Sequence, residues 1–175
     1  MKVSLSVFFL CVLLVSAAPA LAATSLPASC GDPKIKFDVK TQKDKLPLAP
    51  PAPGKAQIVF LERENQMVVP YSSATVRFAI DGAWVGADYS NSYFSLDLDP
   101  GEHHLCASWQ TVLQKVKDST DLTSLTFEPG HVYYLAASVT VRGEHAGIGF
   151  DLAQVDADKA QFWITQSKHS TFKTK

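Results

Sequence analysis

From Ala56 onward the chain is cut into short runs of alternating apolar and polar residues by a turn signal about every ten to fifteen residues. A period of two puts successive side chains on opposite faces of a strand, so this rhythm restricts the fold to sheets more than any other feature does. Ile58 to Leu61 reads as a short apolar strand. Val76, Phe78 and Ile80 alternate into Asp81-Gly82, and Trp84 and Val85 follow; Asp-Gly tolerates the positive φ of a type I′ turn, so a hairpin is expected. Phe94, Leu96 and Leu98 lead into Asp99-Pro100-Gly101, and Leu105, Ala107 and Trp109 lead out, which predicts a second hairpin. Leu125 and Phe127 then enter Glu128-Pro129-Gly130-His131, and Tyr133, Leu135, Ala137, Val139 and Val141 leave it. The two acid-Pro-Gly turns, each soon followed by His, hint at a repeated strand-turn-strand unit.

Arg142 to Gly149 reads as a turn region, with Ile148, Phe150 and Leu152 in a last strand. Met67 to Ser73 fits either a loop or an irregular edge strand. Asp156 can cap a short helix in which Asp158 favours the first turn and Ala157, Ala160, Trp163 and Ile164 recur at helical spacing. The end, from Lys168, is polar and reads as a frayed tail. The fold class expected is all-β, an antiparallel β-sandwich of about seven to eight short strands with one short C-terminal helix.

The N-terminus addresses the chain. Lys2 precedes an almost wholly apolar run from Val3 to Ala18, and Ala20-Leu21-Ala22 offers the small residues of a signal-peptidase site, so cleavage is expected between Ala22 and Ala23. Of three cysteines, Cys11 leaves with the signal, and Cys30 and Cys106 meet an oxidising compartment, where an even count predicts a disulfide. If Leu105, Ala107 and Trp109 face the core, Cys106 faces away from it, and the bridge would pin the N-terminal arm to the outside of a sheet. Lipidation of Cys30 is the alternative, although Leu26 sits one place too far upstream for a lipid-attachment motif. A periplasmic or secreted location follows, with membrane contact only if the signal is retained or Cys30 is lipidated.

The expected organisation is therefore a signal peptide at 1–22, an arm at 23–53 with one strand and a Pro-rich linker, a β-sandwich domain at 54–168, and a polar tail at 169–175. In the arm, Ile35, Phe37 and Val39 alternate with charged residues as a strand on a hydrophobic surface would. Leu46 to Gly54 is rich in proline, which fixes φ and withholds donors, so an extended spacer is expected. The 16 Lys and Arg stand against 17 Asp and Glu, and the leader takes Lys2, so no positive field exists to draw the chain onto nucleic acid.

The order of these signals resembles a known bacterial family. Pro53-Gly54-Lys55-Ala56-Gln57-Ile58-Val59-Phe60, Ile80-Asp81-Gly82-Ala83-Trp84-Val85-Gly86, Asn91-Ser92-Tyr93-Phe94, Asp99-Pro100-Gly101-Glu102-His103-His104-Leu105 and Pro129-Gly130-His131-Val132-Tyr133-Tyr134 are similar, in that order, to the exported domain of unknown function 2846. The resemblance runs from about Gly54 to Asp158 and implies a compact β-sandwich, often part of envelope lipoproteins, with no assigned activity. The arm bearing Cys30 lies outside it.

Glu102, His103, His104, His131, Glu144 and His145 are the candidates for metal or acid-base chemistry. Adjacent His103 and His104 point to opposite faces of a strand, and zinc takes three or four ligands from closer, convergent positions, so turn-flanking histidines that cap or pack are expected instead. Gly143, Gly147 and Gly149 precede a strand rather than a helix, which argues against a phosphate loop. No catalytic residue, metal or cofactor is expected. Tyr89, Tyr93, Tyr134 and Trp163 are candidates for stacking on a glycan or anchoring a partner, with core packing as the alternative. The expected function is a non-catalytic module of the bacterial cell envelope or periplasm, binding an envelope protein or glycan or serving a structural role. A metal-dependent hydrolase using the histidines is the alternative.

Overall fold

The computed structural model describes residues 27–43, 47–63, 75–110, 120–141 and 148–175. Among the described residues, ten strands and one helix follow in order: β1 (Phe37–Gln42), β2 (Ala56–Arg63), β3 (Thr75–Ile80), β4 (Ala83–Tyr89), β5 (Ser92–Leu98), β6 (Gly101–Gln110), β7 (Thr120–Phe127), β8 (Val132–Val141), β9 (Ile148–Val155), α1 (Ala157–Ile164) and β10 (Lys168–Thr174). They form a sheet of six strands, ordered β1-β10-β5-β2-β8-β9, facing a sheet of four, ordered β4-β3-β6-β7. The chain is an all-β sandwich. Its core lies between the sheets, where Ile58, Phe60, Phe78, Phe94, Leu105, Trp109, Phe127 and Leu135 interleave. The expected alternation of β3, β5 and β6 is what aims these side chains inward.

The pairing is not purely antiparallel, because β2 runs parallel to β8 and β10 runs parallel to β5. The expected second hairpin does not form either. Asp99-Pro100-Gly101 carries the chain from β5 in the larger sheet to β6 in the smaller, and Glu128-Pro129-Gly130 carries it back from β7 to β8. Alternation and a Pro-Gly turn read the same way whether the next strand pairs in one sheet or crosses to face it, so the sequence signal could not separate the two. The similar turns do share one role, as bridges between sheets. The Asp81-Gly82 hairpin does form, with both residues at positive φ (49° and 82°).

Arm and tail are not appendages. β1 pairs with β10 along its whole length, Phe37 opposite Thr174 and Gln42 opposite His169, and together they extend the larger sheet toward β4. The strand starts later than expected, at Phe37, and Ile35 is exposed. The tail folds as a strand rather than fraying because its inward position is taken by Ser170, which is buried and hydrogen-bonded, while Phe172 fills the seam against Phe37 and Phe94. The opposite edge is closed by a side chain: Asp121 of β7 accepts the Leu152 N–H of β9 at 2.7 Å.

The outer face of the larger sheet is also covered. Val59, Leu61, Tyr93, Tyr134 and Ala136 point away from the core and are capped by Ala160, Trp163 and Ile164 of α1. This explains why β2 is buried on both faces and reads as a continuous apolar run. Asp156 caps α1, accepting the Lys159 N–H at 2.8 Å. The Pro-rich segment is docked rather than free: Leu48 packs on the same cluster, and Ala49 O accepts from the Gln57 amide at 3.0 Å. Met67 to Ser73 and residues 142–147 lie outside the described residues.

Candidate functional site

Three places gather side chains that packing alone does not require. The first is the outer face of the smaller sheet. Leu105, Ala107 and Trp109 face the core, so Cys106 faces outward, where it is joined to Cys30 by a disulfide with the Cα atoms 5.2 Å apart. A register shift between Phe78 and Ala79 leaves Val85 as an extra residue in β4, so Trp84 stands opposite Ala79 outside while Gly86 stands opposite Phe78 inside. Trp84 thereby covers the bridge. Its indole donates to Asp32 O at 2.8 Å, and the Arg77 guanidinium lies 4.3 Å from its ring. Arg77, buried on this face, donates to Ile35 O at 2.5 Å, to Pro33 O and to Ser108 Oγ. Gln110 completes the latch by trading two hydrogen bonds with the backbone of Phe37.

The second place is one end of the interior. Asp88 is fully buried; Ser92 Oγ donates to its Oδ1 at 3.3 Å, Ser170 Oγ donates to Ser92 Oγ at 2.6 Å, and Oδ2 has no partner. Burial pushes this carboxyl well above the usual carboxylate range, the Ser170 and Ser92 hydroxyls oppose the shift, and Glu62 adds to it. Glu62, also buried, accepts the Asn91 N–H at 2.6 Å and holds the crossing from β4 to β5.

The third is a groove of about 600 Å³ on the outer face of the larger sheet, between Pro47–Pro50 and α1, floored by Tyr93, Val132 and Tyr134. Gln57 lines it. Both amide hydrogens of Gln57 are spent, on Ala49 O and at 3.4 Å on Asp97 Oδ1, and its Oε1 is buried with no donor.

The histidines do not converge. His103 Nδ1 meets Asp81 Oδ2 at 2.6 Å and Nε2 meets Asp99 O at 2.9 Å, so the ring clamps the β3–β4 hairpin to the crossing after β5. Partial burial pulls the His103 pKa down, but the Asp81 hydrogen bond and the Asp99 carbonyl outweigh it and raise it. Asp81 is held low by the His104 N–H and by His103. Glu102 and His104 are exposed on β6. His131 is exposed beside Glu128 at 3.8 Å, while Glu144 and His145 lie outside the described residues. Among the described residues no three His, Cys, Asp or Glu side chains come together as a metal cluster would. Of the candidate aromatics, Tyr93 and Tyr134 are spent on packing beneath the groove, and Trp163 lies between Arg63 and Lys159, each 4.8 Å from its ring. The Ala22 and Ala23 site lies outside the described residues.

The groove was not legible in the sequence. Its walls come from segments over a hundred positions apart, and its one signal was a lone glutamine opening an apolar run. No protein-family model, curated protein or solved structure matches the chain.

Proposed function

We propose that this chain is an exported, non-catalytic β-sandwich module of the bacterial cell envelope or periplasm, with a binding or structural role. The observation that carries the reading is the Cys30–Cys106 bridge, buried under Trp84 and joining the N-terminal arm to β6. Such bridges persist in oxidising compartments and are rare where thiols are kept reduced. The apolar leader and the Ala20-Leu21-Ala22 site point the same way. So does the order of turn motifs, which resembles the exported domain of unknown function 2846. A binding role is supported by the groove under α1. The hydrolase alternative loses support because both ring nitrogens of His103 are engaged within the fold.

Cell fractionation with intact mass and non-reducing peptide mapping tests the proposal. A periplasmic or secreted chain beginning at Ala23, with Cys30 and Cys106 in one disulfide-linked peptide, is the expected result. A mass starting at a diacylglyceryl Cys30 would make it a membrane-anchored lipoprotein, and a reduced cytoplasmic chain would sink the proposal outright.

A further inference from the structure

We infer that the outer face of the β1–β10 pair is a docking surface for an anionic lipid bilayer. This rests on the reading of the chain as an envelope module and names what the module meets there.

Charge is the first argument. The antiparallel register sets Asp38 opposite Lys173 and Lys40 opposite Thr171, and alternation puts Lys36 on the same face. The fold thus brings lysines of the tail beside those of the arm, although they stand at opposite ends of the sequence. Asp38 is the one carboxylate side chain on this face, and Lys175 Nζ holds its Oδ1 at 2.5 Å. Lys36, Lys40 and Lys173 are exposed and, among the described residues, have no acid within ion-pair distance. The chain as a whole carries a formal net charge of −1, so this is a local positive field on a nearly neutral protein.

Shape is the second. A recess of about 200 Å³ opens among Asp38, Lys40, Thr171, Phe172 and Lys173. Lys40 and Lys173 are diagonal neighbours across the strand pair, a placement that sets their Cα atoms about 7–8 Å apart. Like charges so placed repel each other and gain from an anion between them. A phosphate seated in the recess meets both ammonium groups.

The third argument selects what carries the phosphates. Lysine ends are hydrated point charges suited to a field of anions, whereas recognition of one bound phosphate favours the fixed fork of arginine, which this face lacks. Lys36 and Lys40 stand four residues apart, about 13 Å along an extended strand. A single phosphate in the recess leaves Lys36 unmet, while a plane of lipid headgroups meets all three lysines. A single-stranded nucleic acid would need rings to stack on, and the one aromatic ring at the recess, that of Phe172, is spent in the seam against Phe37 and Phe94. An exported chain is also released beside a lipid surface.

Co-sedimentation with vesicles tests the assignment, using the full-length mature protein in its oxidised form. One set of vesicles holds phosphatidylglycerol and phosphatidylcholine in equal parts, the other phosphatidylcholine alone. Each lysine beside an anionic surface is worth about fivefold in partitioning, so three predict a roughly 100-fold preference for the anionic vesicles. That preference should be present at about 0.1 M salt and lost at about 1 M, where the Debye length shrinks to about 3 Å. Lys40→Gln with Lys173→Gln should weaken binding roughly 25-fold while leaving the melting temperature unchanged. Asp38→Asn, which frees Lys175, should strengthen it about fivefold. Equal binding to the two sets of vesicles, full binding by the double variant, or capture by a DNA oligonucleotide but not by vesicles would each overturn the assignment. So would release from the vesicles by millimolar inorganic phosphate at constant ionic strength, since the recess would then be a site for the free ion. Failure of these tests with an exported, oxidised protein removes the lipid surface and leaves the module reading intact. A reduced cytoplasmic protein that passes them does the reverse.

Discussion

Replacing Cys30 and Cys106 together by alanine removes a cross-link between positions 76 apart in sequence. In the chain-entropy account a closed loop of that length is worth about 4.5 kcal/mol at 25 °C, since the bridge denies the unfolded chain most of its open conformations. The other parts of the latch survive the substitution: Arg77 still reaches Ile35 and Pro33, Trp84 still reaches Asp32, and Gln110 still holds Phe37. The folded state should therefore persist with its β-type circular dichroism, and the loss should appear as a lower melting temperature. For a chain of this size each kcal/mol moves the midpoint by roughly 2–4 °C, so a drop of roughly 9–18 °C is expected. Limited trypsin digestion locates the change. Lys34 and Lys36 are exposed ahead of β1 and should be cut faster in the variant, whereas Lys40 lies within β1 opposite Thr171 and should stay protected. A midpoint within about 2 °C of the parent would show that the bridge does not restrain the unfolded chain as argued. Fast cleavage at Lys40 would show that β1 depends on the bridge.

Asp88 makes stability depend on pH. Its folded pKa is raised above the unfolded value of about 3.9, so the folded state keeps a proton that the unfolded chain releases, and stability falls by up to about 1.4 kcal/mol per pH unit as pH rises through that window. Asp88→Asn should flatten this decline and be the more stable protein at neutral pH; parallel urea-denaturation profiles for the two proteins between pH 4 and about pH 8 would refute the assignment. His103 has the opposite dependence, because its raised pKa gives stability that is full below about 6.5 and lost as pH rises through the folded value. Its NMR titration midpoint should lie above that of a free histidine and fall back in Asp81→Asn. Gly86→Ala would place a Cβ 2.5 Å from the rings of Phe94 and Phe172, so a loss of about 1–3 kcal/mol in chemical denaturation is expected.

Which face each strand shows the core was legible, since Phe78, Phe94, Leu105 and Trp109 sit inside as their alternation requires. Cys106 sits outside for the same reason, under the arm that carries Cys30. Strand partners were not legible. Nothing local distinguishes a hairpin from a crossing at Asp99-Pro100-Gly101, and the parallel pairing of β2 with β8 joins segments whose order is set only by the whole sandwich. β10 escaped notice because hydrophobic periodicity detects strands that bury apolar residues, and its inward positions hold Ser170 and a single Phe172. The groove escaped because proline-rich composition signals an extended chain but not the surface on which that chain lies.

The polar end of the interior and the paired chain ends are one device. A Lys-Ser-Thr-rich strand gains little by burial, so hydrophobic matching alone would not select its place beside β5, and β10 pairs with β5 only at Lys168 and His169. What selects the register is Ser170, whose hydroxyl reaches Ser92, which in turn reaches Asp88 on the facing sheet. A slip of one residue would turn Ser170 outward and bring the bulkier His169 or Thr171 into the buried space beside Ser92 that a serine fills. Once β10 is set, its other edge is filled by β1, and β1 is in turn fixed from the opposite side by Gln110 and the disulfide-latched arm. The arm outside the smaller sheet and the tail inside the larger one thus secure each other, which is why loss of the bridge should loosen residues 27–36 while the β1–β10 pair holds.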